Sequence, residues 1–78
     1  MRVMIRFSVD NEPNSDLRKK LEKVLNDNGF VRERNTATYE RGDVNASEIA
    51  EILEEFWRAV AAHVGPGRID HFWLYSDR

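Results

Sequence analysis

The sequence predicts an α+β domain in the order β-α-β-β-α-β, an antiparallel sheet carrying two helices on one of its faces. Three observations support this. In residues 2–9 every odd position is apolar, as the buried face of a strand requires. Two segments, 17–25 and 49–64, repeat their apolar residues at helical spacing. The stretches 30–41 and 68–76 are rich in strand-forming Val, Thr, Ile, Phe, Trp and Tyr.

In the first strand Val3, Ile5, Phe7 and Val9 form the apolar row. "DNEPNSD" then gathers turn and cap residues, with Asn14 or Ser15 as the expected N-cap and Asp16 in the first helical turn. Leu17, Leu21, Val24 and Leu25 make the buried stripe of this helix, and Gly29 suits the left-handed position that ends it. "FVRERNTATYERGD" is long and polar for one strand. Asn35 near its middle predicts a kink or bulge separating a strand near 30–34 from another near 36–41. "NASE" is a capping-box variant that opens the second helix at Asn45. Its stripe is Ile49, Ile52, Leu53, Phe56, Val60 and Val64, with Glu51, Glu54, Glu55 and Arg58 outside. "GPG" stops it, and "RIDHFWLYS" is the last strand. This order is the ferredoxin-like pattern, in which first and last strands are neighbours and one sheet face has no helix.

Seventy-eight residues make a single domain, 1–78. A chain this short hides only roughly 60% of its unfolded surface, so the core needs reinforcement. The chain has no cysteine for a disulfide or thiolate metal site, which leaves oligomerisation and fits a cytoplasmic protein. No apolar run is long enough to span a bilayer, and Arg2 and Arg6 interrupt the first apolar segment, so no signal segment or membrane span is expected. Net charge is −2, but residues 1–41 stand at +2 and residues 42–78 at −4. Any polyanion would meet a patch built from the first half.

If Val3, Ile5, Phe7 and Val9 face the helices, then Arg2, Met4, Arg6, Ser8 and Asp10 face away. Assigning Phe72 and Leu74 to the core puts Ile69, His71, Trp73 and Tyr75 beside them; a one-residue slip reverses that assignment. Three readings follow. Exposed Trp73 and Tyr75 mark a homodimer or partner interface. Aromatics among arginines on an open sheet suit stacking of single-stranded RNA bases, although the RNA-recognition consensus is missing from "TATYERGD". Ordinary packing, with Trp73 in the core, is the third.

Asp10 ends the first strand on the bare face. It is either a turn initiator or a ligand for a hard divalent cation such as Mg²⁺ or Mn²⁺, which needs few protein carboxylates. His71 shares that face and joins Asp10 as a catalytic candidate, an interfacial position being the alternative. His63 falls in the last turn of the second helix, where a cation suits the helix dipole. Ser8 has no identifiable activating partner, and "GPG" follows a helix instead of opening one, unlike a phosphate loop.

The first strand "VMIRFSVD", the segment "NGFVRERNTATYE" and the final "RIDHFWLYS" resemble the corresponding segments of the virulence-associated protein D and CRISPR-associated protein 2 group of ferredoxin-like endoribonucleases. Tyr39-Glu40 is similar to the aromatic–acidic end of that group's bent strand pair. The resemblance implies a homodimeric, toxin–antitoxin or CRISPR-associated nuclease acting on nucleic acid. Asp10 would hold Mg²⁺ or Mn²⁺ at the scissile phosphate, and Arg2, Arg6, Arg32 and Arg34 would bind the backbone. The chain departs from the group at Ser8, where the group has its aspartate; Asp10 follows two residues later on the same face. The other class consistent with the residues is a non-enzymatic regulatory or inhibitory module that binds a protein through the Trp73 face.

Overall fold

In the computed structural model, which describes residues 1–77, the elements are β1 (Arg2–Asp10), α1 (Asp16–Asp27), β2 (Val31–Arg32), β3 (Thr38–Arg41), α2 (Ala46–Ala62) and β4 (Arg68–Asp77). One antiparallel sheet has the order β2-β3-β1-β4, so the ferredoxin-like α+β pattern is the observed one. Val3, Ile5 and Phe7 of β1 are buried with Leu17, Leu21 and Leu25 of α1 and Ile52 and Phe56 of α2. Phe7 stacks on Tyr39 at 5.8 Å and meets Phe56 edge-on at 5.5 Å. The alternate β1 residues are left on the face without helices.

α1 begins after Ser15, but its capping side chain is neither Ser15 nor Asn14. Ser15 is left-handed at φ 59° and makes no side-chain cap bond. The Glu12 carboxylate instead accepts from the Leu17 and Arg18 amides, satisfying orphan donors where negative charge suits the helix dipole. At the other end the Gly29 amide donates to Asn26 O and the Phe30 amide to Leu25 O, with Gly29 at φ 84°. This left-handed stop buries Phe30.

The segment splits at Asn35 into two strands as expected, and the break is a hairpin turn rather than a bulge. Asn35 has φ 60°, and the Glu33 amide donates to Thr38 O at 2.8 Å across the turn, so the two strands are shorter than the sequence predicts. α2 carries the expected capping box, with the Glu48 amide on Asn45 Oδ1 and the Asn45 amide on Glu48 Oε1. Arg41 donates to Asn28 O at 3.0 Å and to Glu48 Oε2 at 2.7 Å, tying the end of α1 to the start of α2. The Asn45 amide first, and Arg41 second, hold the Glu48 carboxyl below its ordinary value.

Two expectations for the far end of α2 are corrected. The helix stops at Ala62, so Val64 lies past it and is 89% exposed instead of completing the stripe. His63 is the C-cap residue: its Nδ1 lies 3.2 Å from Lys20 Nζ and its Nε2 3.0 Å from Pro66 O. The ring thus bridges Lys20 of α1 and the Pro66 carbonyl from a position just past the helix, not within its last turn.

Candidate functional site

β4 pairs with β1 in a regular register from Arg2↔Asp77 to Ser8↔His71, after which Val9 pairs with Ile69. Asp70 is therefore an extra residue, a β-bulge. The bulge sends Ile69 to the core beside Val9, Phe72 and Leu74, correcting its expected place on the bare face. It also leaves Asp70 and His71 together on the open side, where Asp70 Oδ2 is 3.5 Å from Ser8 Oγ.

The rest of that face follows from the register. Trp73 lies across from Arg6 and Tyr75 across from Met4, as Phe72 and Leu74 turn toward the helices. The Trp73 and Tyr75 rings are nearly parallel, 5° apart at a centroid distance of 5.9 Å, and stay 42% and 43% exposed. A groove of about 560 Å³ lies alongside, lined by Arg6, Ser8, Thr38, Asp70, His71 and Trp73.

Two of the three arginines on this face are paired with carboxylates. Arg2 donates to Asp77 at 2.9 Å, and Asp77, with Glu40 behind it, pushes the guanidinium further above its ordinary value. Asp10 is paired with Arg68 at 3.1 Å. Among the described residues Arg6 has no acidic partner within ion-pair distance, while Asp70 and Glu33 face the same groove.

The four arginines of the sequence reading do not form one patch. Arg2 and Arg6 share the open face. Arg32 lies by the Tyr39–Glu22 pair, 3.8 Å from Glu22, and donates to Thr36 O. Arg34 is in the exposed hairpin turn. Asp10 and His71 are both at the open side, but Asp10 pairs with Arg68 and His71 with Ser8 along the ladder, and no hydrogen bond joins them. Among the described residues no three His, Asp or Glu side chains are grouped as a metal would require. An ion at Asp10 would complete its shell with water and phosphate.

Asp70 and Arg68 are the residues that sequence reasoning missed. Their signal was a parity break: Ile69, Phe72 and Leu74 cannot share one side of a regular strand, so a bulge had to lie between the first two. Comparison with protein-family models, curated proteins and solved structures finds no match. No helix among the described residues is long and apolar enough to cross a membrane.

Proposed function

We propose that the protein is a non-enzymatic binding module, regulatory or inhibitory in role, that docks a protein surface on its open sheet face. The observation that carries this is the exposed Trp73–Tyr75 pair on a face where two of three arginines are already paired with carboxylates. Half-exposed aromatics beside paired charge are what a desolvated protein contact uses. A phosphate backbone needs surplus cations, and here two of three arginines are occupied by Asp77 and Asp10 while Asp70, Glu33 and Glu40 add negative charge.

The second reading is the metal-dependent endoribonuclease, favoured by the unpaired Arg6 directly across from Trp73. Bases would stack on Trp73 and Tyr75, Arg6 would meet phosphate, and Asp10 would exchange Arg68 for Mg²⁺ or Mn²⁺. Labelled single-stranded RNA and DNA, incubated at low salt with Mg²⁺ or Mn²⁺ and with chelator, separate the two. The binding-module reading expects no cleavage and no saturable binding. Chelator-sensitive cleavage that Asp10→Asn abolishes would replace it with the nuclease.

A further inference from the structure

β4 is the outermost strand of the sheet and the longest, whereas the opposite edge, β2, has two residues. A bare edge is a row of unpaired amides and carbonyls, normally blunted by charge, proline or a bulge. β4 has such devices only at its ends, the bulge at Asp70 with Arg68 at one and Asp77 at the other. From Phe72 to Ser76 the strand reads Phe-Trp-Leu-Tyr-Ser, with no charge, proline or glycine.

The same edge is apolar on both sides of the sheet. On the open side stand Trp73 and Tyr75. On the helix side Trp57 of α2 packs on Phe72 at 5.0 Å and still exposes 40% of its surface. Both tryptophans of the chain thus flank one unpaired strand, an arrangement that a strand partner would cover from above and below.

We propose that this partner is a second copy of the chain, joined β4 to β4 in antiparallel register about a twofold axis at Leu74, making one eight-stranded sheet. The proposal rests on the protein-docking reading above and deepens it: the pairing joins the two open faces, Trp73 and Tyr75 included, into one docking surface. The register follows from the uncharged stretch Phe72–Ser76, the part of the edge free of charge and bulge, whose midpoint is Leu74. Centred there, every residue meets a compatible one. Trp73 lies opposite Tyr75 of the partner subunit, so the two stacked pairs stand side by side as a cluster of four rings across the junction. Phe72 lies opposite Ser76 of the partner subunit, leaving room for Trp57 above it, and His71 lies opposite Asp77 of the partner subunit. Because the axis maps a residue onto a position of the same parity, the helices of both copies stay on one side and the open faces join.

Sedimentation over a wide concentration range, with Trp57→Glu and Trp73→Glu, tests this, since both sites are exposed and neither change hollows the core. Wild type is expected to be a dimer at micromolar concentration, and each variant to weaken it about tenfold or more. If Trp73→Glu weakens association and Trp57→Glu does not, the copies meet face to face and the edge geometry is wrong. A monomer at every concentration with no RNA binding overturns self-pairing but spares the protein-docking reading; saturable RNA binding overturns that reading too. The register is checked by oxidising single-cysteine variants in this cysteine-free chain. Leu74→Cys is expected to form a covalent dimer. His71→Cys is not, because its two copies would lie about 20 Å apart, six strand residues at ~3.4 Å each. Efficient cross-linking at His71 but not at Leu74 would refute the register.

Discussion

Phe56 connects the helical layer to the strand that carries the aromatic face, so its truncation should cost more than that of any other α2 side chain. The ring is fully buried and meets Phe7 at 5.5 Å, Trp57 at 5.3 Å and Phe72 at 5.2 Å. Phe56→Ala removes the ring from a core that has little room to close, at a cost of about 3–5 kcal/mol. Domains have only about 0.05–0.15 kcal/mol of stability per residue, so this is a large share of the total for 78 residues. Phe56→Leu keeps much of the volume and loses the ring–ring geometry; with aromatic pairs at about 0.5–1.5 kcal/mol each, it should cost about 1–2 kcal/mol. Urea unfolding followed by far-ultraviolet circular dichroism gives both values from midpoint shifts at constant slope. An Ala variant within 1 kcal/mol of wild type, or a Leu variant equal to the Ala variant, would refute the claim that Phe56 couples α2 to β4.

Gly67 sits at φ 112°, and a Cβ there would lie 2.8 Å from Glu12 Oε2, the oxygen that caps α1. Gly67→Ala should therefore destabilise by more than about 1 kcal/mol in urea unfolding, through backbone strain and loss of the cap together. Burial, and then the hydrogen bond to Glu22, push the Tyr39 phenol above its ordinary 10.0. A folded value raised in this way contributes stability that is complete below pH 10 and declines as pH rises beyond it. Tyr39→Phe should lower stability at neutral pH by about 0.5–1.5 kcal/mol and flatten the alkaline decline, read from thermal midpoints against pH.

Much of the fold was legible because single side chains decide local structure. The row Val3, Ile5, Phe7, Val9 has period two and only one way to face a core, and Asn45 with Glu48 at the third position satisfies the first amides of α2. What escaped depended on contacts between segments distant in sequence. Glu12 takes the capping role because Ser15 adopts a left-handed backbone and because Gly67, far along the chain, leaves space for the carboxylate. The candidate site was half legible for the same reason. The parity of Phe72 and Leu74 placed Trp73, Tyr75 and His71 on the open face. The partners of Arg2 and Asp10 depend on the β1–β4 register and its bulge, and Arg32 turned out to lie beside Glu22 rather than with Arg2 and Arg6.

The accessibility of Trp73 in solution tests the docking face most directly. In a Trp57→Phe background Trp73 is the sole tryptophan, so acrylamide quenching of its emission reports that side chain alone. Dilute protein should quench strongly, quenching should weaken as protein concentration rises and a partner strand packs beside Trp73, and single-stranded RNA should leave it unchanged. Quenching that RNA suppresses in dilute protein, or that is weak at every concentration, would contradict a protein-docking face centred on Trp73.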